Sequence, residues 1–400
     1  MKVMLVTKKY KYEPLGVAYL AAVLKDGGHK PIHATEETAL ETLKEEKPEV
    51  VGFSVLTGSH NSMLNLARQM KETNPALFTI FGGPHPTYFP RIYHEKGVDS
   101  VIVGEAEHSI CDFVEKQEKV CKVGKLETDL DNLPDPYREF VYSEMPRERT
   151  NPILHVIGSR GCPFNCPYCY NDGFKKLYPE QQTVRHRSPR NLVNEINGVD
   201  RPVQFIHFQD DAFTSNKRWL NEFLDVYKKE VNLPFHAIVR LDQLDEDTIV
   251  KMKDAGLHSV RAAVECADDN IRRNVLKRNV SKETIIKTCG LLKKHNIEFL
   301  LQNLLGLPEG DLKTDLDTLE FNKRLDPTYA WASLFQPYPG TKLGDKHNGS
   351  LERIEDNFYE NTPLDIRDKK ERIQLRKTFS QQVSGRTYEE ADKLLYAGVL

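Results

Sequence analysis

Ser159-Arg160-Gly161-Cys162-Pro163-Phe164-Asn165-Cys166-Pro167-Tyr168-Cys169-Tyr170-Asn171 is the stretch on which the reading of this chain turns. Three cysteines fall within eight residues, at the spacing C-x3-C-x2-C. They follow an apolar run at 153–159 that predicts a β-strand, so they sit on the loop that leaves its carboxyl end. Cysteine thiolates hold iron–sulfur clusters, and three of them can hold three irons of a [4Fe–4S] cube. The fourth iron is then left without a protein ligand, and an open metal position can bind and activate another molecule. A structural zinc site wants four ligands, and no fourth Cys or His follows at finger-like spacing. The other four cysteines, Cys111, Cys121, Cys266 and Cys289, are scattered, and the total of seven is odd. That pattern argues against a disulfide framework and for buried small hydrophobes.

Outward from the motif the chain reads as alternating strands and helices. Candidate strands at 153–159, 203–208, 235–239, 259–264, 299–305 and 330–335 alternate with helices near 188–197, 217–229, 246–255, 281–295 and 312–324. Six such units predict an open, partial (β/α)6 TIM-like barrel, with reactive groups at the carboxyl ends of its strands. Before the motif, apolar runs at 3–6, 50–55, 78–81 and 98–103 predict buried parallel strands. Helices lie between them, the first opened by Pro14 and closed by Gly27-Gly28, with others near 60–73 and 105–117. This is an α/β, doubly wound sheet of Rossmann or flavodoxin-like type. The expected division is a first domain at 1–123, a linker at 124–150, the barrel at 151–343 and a short, mainly helical tail at 344–400. The acidic, proline-bearing DLDNLPDPYREF marks the linker, and the tail predicts helices near 368–379 and 388–397.

Composition excludes several classes. Of 400 residues 39% are hydrophobic and 29% charged, with a net charge of −3 mixed along the chain. Short basic runs such as Lys8-Lys9 and Arg185-His186-Arg187 make no stripe of the kind that tracks nucleic acid. No apolar stretch approaches the roughly 18–20 residues of a membrane span. The opening MKVMLVTKKY turns polar too soon for a signal peptide and reads as a strand, so a cytoplasmic location is expected.

The cysteine string after a first barrel strand resembles the signature of the radical S-adenosylmethionine (SAM) enzymes. The resemblance implies a cluster on Cys162, Cys166 and Cys169 whose open iron chelates SAM. It also implies SAM contacts from the strand ends: Tyr168 within the motif, Asp210 or Asp211 in FQDDAFTSN, Arg240 in VRLDQL, Glu265 in RAAVEC, Gln302, and Gly306 in LGLPE. Each residue also has a plain structural use. Asp211, Thr214 or Ser215 can cap a helix, Arg240 can pair with Glu265 or Asp242, and Gly306 can make an ordinary turn.

The first domain resembles the cobalamin-binding domain of the cobalamin-dependent class of these enzymes. The likeness rests on PLGVAYLAAVL at 14–24, on GGPHPT at 82–87 and on VGEAE at 103–107. It rests also on Ser54-Val55-Leu56 followed, after 25 residues, by Gly82-Gly83. It implies corrinoid contacts from Glu13, Leu15, Gly16, Ser54, Val55, Leu56, Gly82, Gly83, His85 and Glu105. Where many cobalamin domains carry an Asp-x-His-x-x-Gly histidine, this chain has Lys11-Tyr12-Glu13-Pro14-Leu15-Gly16, so cobalt is expected to lack histidine ligation. The activity implied is cobalamin-dependent C-methylation of an unactivated carbon, on an unknown small-molecule or peptide substrate. A flavodoxin or ferredoxin is the expected electron donor. The alternative is a radical cyclase, oxidase or rearrangement enzyme with a degenerate corrinoid domain; a non-catalytic sensor is a third reading. The resemblance assigns no catalytic side chain.

Overall fold

Val3, Met4, Val6, Val50 and Val51 show no exposed surface, as expected of parallel strands covered on both faces. The computed structural model describes residues 1–10, 12–347 and 361–390. The described chain falls into two units, one made of 1–151 with 174–182, the other of most of the remainder. In the first, strands β1 (Lys2–Thr7), β2 (Lys30–Thr35), β3 (Val50–Ser54), β4 (Phe78–Gly82), β5 (Ser100–Val103) and β6 (Cys121–Val123) form one parallel sheet, in the order β2-β1-β3-β4-β5-β6. Its core lies in two layers, one on each face of the sheet. This is the flavodoxin-like order, and it places a ligand crevice beyond the carboxyl ends of β1 and β3, where the winding reverses.

Two strands here were not anticipated, β2 and β6, nor was the helix Ala39–Glu46. The stretch expected as a linker is packed rather than free. Its helix Arg138–Tyr142 buries Phe140, Val141 and Tyr142 against the first unit's core. Buried Arg138 pairs there with Glu13, whose other carboxylate oxygen accepts from the Tyr142 hydroxyl at 3.1 Å.

In the second unit, β7 (Ile153–Val156) is followed by a short antiparallel pair, β8 (Ser159–Arg160) and β9 (Arg185–His186). Strands β10 (Phe205–Phe208), β11 (Phe235–Ile238), β12 (Leu257–Glu265), β13 (Glu298–Leu305) and β14 (Tyr329–Leu334) then extend β7 into a six-stranded sheet, β14-β13-β12-β11-β10-β7. Every pair in it is parallel and sequential neighbours lie side by side, as in a barrel left open. Alternate residues of each strand, Leu154 and Val156, Ile206 and Phe208, Val260 and Ala262, pack outward among the helices. Their neighbours therefore line the inside. The tail contributes the helix Lys369–Ser384, longer than expected, on the outside of β14. Most of the helix expected near 388–397 lies outside the described residues. Among the described residues no helix is long and apolar enough to cross a membrane.

Candidate active site

The cysteine loop hangs from the β8–β9 pair. Gly161 has φ 82°, and a side chain there would run into the Thr183 carbonyl, so the loop's entry needs glycine. Cys166 is buried, while Cys162 and Cys169 are half-buried. The Cys169 amide donates to the Cys166 carbonyl at 3.0 Å, a turn that brings the last two cysteines together. Nitrogen donors lie beside the sulfurs: Arg240 Nη1 is 3.9 Å from Cys166 Sγ, and Asn171 Nδ2 is 4.0 Å from Cys169 Sγ. Burial, with Asp211 and the other two thiols nearby, pushes the Cys169 thiol up to about 12. Metal binding removes such a proton. Among the described residues no three His, Cys, Asp or Glu gather closely enough for a single metal ion. A cube spreads its ligands over three irons, so this loop fits a cluster better than a lone ion.

Four of the expected strand-end residues, Asp210, Asp211, Arg240 and Glu265, contact this loop or the turn that enters it. Asp210 is fully buried and accepts from the Gly158 amide at 3.0 Å and the Ser159 hydroxyl at 2.5 Å. It braces the turn that launches the cysteine loop, and burial raises its carboxyl to about 6. Asp211 accepts from the Tyr170 hydroxyl instead. Arg240 forks onto Asp242 at 3.0 and 2.8 Å, and its guanidinium stacks 3.6 Å from the Phe164 ring centroid. Glu265 accepts from the Tyr168 hydroxyl at 2.8 Å and lies 4.0 Å from Arg278. Its φ of 66° is rare for a non-glycine residue, and the pairing of β12 with β13 shifts register beside it. Both features re-aim a side chain at a strand end. Gln302 is half-buried on the inner face of β13. Gly306 has φ 70° and gives its amide to Asp315 at 3.1 Å. Sequence reasoning missed Arg278, Ser159, Asn171 and Phe164. The last three lie inside the quoted motif, but Arg278 carries no local signal.

In the first unit the expected corrinoid residues lie at the carboxyl ends of β1, β3, β4 and β5. Gly83 has φ 96°, and an added Cβ would come within 3.1 Å of the Val55 amide and carbonyl. The Val55 amide donates to Gly82 O, and the His85 amide to Val55 O, each at 2.9 Å. A Cβ on Gly82 would meet nothing closer than 3.8 Å, so its glycine is not forced by packing. The Leu56 carbonyl accepts from the Ser59 amide and hydroxyl, both at 3.1 Å. Ser54 shares a hydrogen bond with Tyr10, a half-buried phenol that the sequence did not single out. His85 stacks between His60 and Phe89, with ring centroids 4.2 and 4.4 Å away. Burial first, then His60, holds it down at about 3. Glu105 gives its amide to the Tyr178 hydroxyl at 3.0 Å, which itself donates to Gly124 O at 3.0 Å. Gly104, with φ 81°, makes room for that phenol. Glu13 is taken up by Arg138 and Tyr142, Leu15 is buried, and Gly16 faces open space. A crevice with Ser54 and paired glycines at a β1/β3 reversal suits a nucleotide-bearing cofactor.

Comparison with known proteins agrees with this geometry. Residues 1–114 match the B12 binding domain family and residues 156–321 the radical SAM superfamily. An uncharacterized methyltransferase of Pyrococcus horikoshii is 26% identical over 82% of this chain and 77% of its own. The anaerobic magnesium-protoporphyrin IX monomethyl ester cyclase of Rubrivivax gelatinosus is 24% identical over 84% of this chain and 67% of its own. Among solved structures, the radical SAM methyltransferase TsrM of Kitasatospora setae, with cobalamin and a [4Fe-4S] cluster bound, superposes with a TM-score of 0.68. That match is 14% identical and covers 85% of this chain and 77% of TsrM.

Proposed function

This chain belongs to the radical SAM enzymes that carry an N-terminal B12 binding domain, and from that premise we propose that it methylates an unactivated carbon. Its cofactors are a [4Fe–4S] cluster, SAM and cobalamin. The observation that carries the reading is the pairing, in one chain, of a corrinoid-type crevice with a cysteine loop at the end of the first barrel strand. Bound there, the cofactors supply a hydrogen-abstracting 5′-deoxyadenosyl radical and a methyl group for the carbon it leaves.

The protein's part is to hold and orient. Cys162, Cys166 and Cys169 take three irons, and the Arg240 and Asn171 nitrogens steady the charge on the sulfurs. Asp211 is the better placed of the two aspartates for the SAM amino group, because it keeps exposed surface beside the cysteine loop while Asp210 is fully buried beneath it. Arg240 or Arg278 faces the SAM carboxylate, the Tyr168–Glu265 pair the ribose, and Gln302 with Gly306 the adenine. Ser54, Val55, Leu56, Gly82, Gly83 and His85 line the corrinoid's tail crevice. The Glu105 loop, Glu13 and the start of the helix Leu15–Asp26, with Leu15 and Gly16, frame it. Residues 11–16 hold no histidine that could be offered to cobalt. The setting is the cytoplasm, with a flavodoxin or ferredoxin as donor and a small molecule or peptide as substrate.

The relatives named as methyltransferases support this reading, and the cyclase relative keeps cyclisation as a second one. A half-reaction separates them without knowledge of the substrate. Reconstituted enzyme given SAM and reductant under argon is expected to form both S-adenosylhomocysteine, from methylation of reduced corrinoid, and 5′-deoxyadenosine. Deoxyadenosine alone favours the second reading. Formation of neither contradicts both.

A further inference from the structure

Three imidazoles lie side by side inside the barrel, below the strand ends that carry the cofactor residues. His155 of β7, His207 of β10 and His236 of β11 are register partners, and Ser259 of β12 continues the row. Their chain neighbours Leu154, Val156, Ile206, Phe208, Phe235 and Ala237 pack outward, so the three rings face inward. Toward the carboxyl ends the inward residues Ile238, Arg261, Gln302 and Trp331 are half-buried, whereas His155, His207 and His236 are 2, 6 and 0% exposed. The rings therefore form a floor.

The hydrogen bonding of that floor is lopsided. Gln209 Nε2 lies 2.8 Å from His155 Nδ1 and 3.0 Å from His207 Nδ1, and the two Nδ1 atoms are 3.2 Å apart. A Gln209 amide donating to both rings would make each Nδ1 an acceptor and place each ring proton on Nε2. His236 Nδ1 faces the Ser259 hydroxyl at 2.8 Å. The Nε2 atoms of His207 and His236 are buried with no protein partner. Buried donors of this kind are ordinarily satisfied. The groups acting electrostatically on these two rings are Arg261 and other histidines, with no carboxylate among them. Among the described residues no such cluster is gathered for a metal ion.

We propose that this floor is the substrate's anchor and takes an oxyanion, a carboxylate or a phosph(on)ate, with His207 Nε2 and His236 Nε2 as donors and Arg261 as counter-charge. The proposal rests on the reading of the barrel as the place of substrate chemistry. It narrows the substrate to an acid whose reacting carbon lies on the side of the strand ends. Gln209 is a positioning residue that fixes the ring tautomers.

The test uses the full-length, cluster-reconstituted protein with histidine 13Cε1-labelled, titrated with acetate, methylphosphonate and acetamide. The oxyanions are expected to move the His207 and His236 resonances and to bind about tenfold or more tightly than the amide. The stronger of the two anions distinguishes carboxylate from phosph(on)ate. His207→Phe and His236→Phe should remove the preference. Gln209→Glu, a near-isosteric change that supplies an internal carboxylate, should weaken both anions by about tenfold while iron content and melting hold. Equal binding of acid and amide, or binding of neither, overturns the proposal and leaves a structural imidazole cluster satisfied by buried water. Deoxyadenosine formation in the same preparation keeps the two readings apart. Oxyanion binding without SAM cleavage would sink the proposed function and spare the floor, and the reverse outcome would do the opposite.

Discussion

Single side chains carry the sharpest consequences. Replacing Cys162, Cys166 or Cys169 with alanine should each remove most of the iron and the cluster's visible absorbance from reconstituted protein. Alanine at Cys121 or Cys289 should leave both intact, and iron analysis on the set decides. The two glycine classes should part as clearly. Gly83→Ala forces a Cβ at φ 96° against the Val55 backbone and is expected to cost about 1–3 kcal/mol of stability. Gly16→Ala, in the helix Leu15–Asp26 with nothing near its Cβ, should stabilise by about 0.5–1 kcal/mol. Urea unfolding of the metal-free protein measures both. His33 gives a pH dependence. It is buried under Phe140, 4.8 Å between ring centroids, with Nε2 3.0 Å from the Thr7 hydroxyl, and burial lowers it from 6.5 to about 4. The folded state holds the neutral ring, so this contribution is complete above pH 6.5 and is lost as pH falls toward 4. The size is about 2 kcal/mol between pH 7 and 5. His33→Gln should flatten the urea midpoint over that interval relative to the wild type, and an unchanged slope would refute the assignment. At this scale the sequence was readable where residues are consecutive. The spacing of three cysteines is local, and so is the run of acids after the second barrel strand. Arg278, Arg138, Tyr10 and Tyr178 were not readable, because each acts on a partner supplied by folding; Arg138 reaches back to Glu13 and Tyr178 to Glu105.

Elements follow the same division. The central strands β1, β3, β4 and β5 and the barrel strands announced themselves as apolar runs because helices cover them. The two strands missed in the first unit, β2 and β6, are the edges of its sheet. β2 carries Pro31, which argues against a strand interior, and the polar Lys30, His33 and Thr35, while β6 is exposed along its whole length, so neither reads as an apolar run. The tail helix Lys369–Ser384 was foreseen, but not what fixes it. Arg372 is buried on Asp315, with contacts of 2.6 and 3.1 Å, and Asp315 also accepts the Gly306 amide. Asp315→Ala would strand a buried guanidinium and should cost about 3–5 kcal/mol in urea unfolding. Asp317→Ala, which breaks only the exposed pair with Lys313, should cost under about 0.5 kcal/mol. Comparable losses for the two would show that the tail is not held this way.

For the molecule as a whole, two α/β units share one chain, and each places its distinctive residues at the carboxyl ends of parallel strands. That arrangement follows from the rule that loops there are free to vary while the sheet is not. It explains why the cofactor set could be expected from motifs while the substrate could not. The substrate anchor proposed above lies on the inner face of the barrel, where His155, His207 and His236 come from separate strands. The central claim is that both cofactor domains are functional in one protein. Its most direct test is the metal content of anaerobically purified protein, reconstituted with iron, sulfide and cobalamin and then desalted. The account predicts near-stoichiometric cobalt, about four irons per chain, and the spectrum of a corrinoid without histidine ligation. Iron retained with no cobalt would contradict it, leaving a radical SAM barrel beside a first unit that has lost its cofactor.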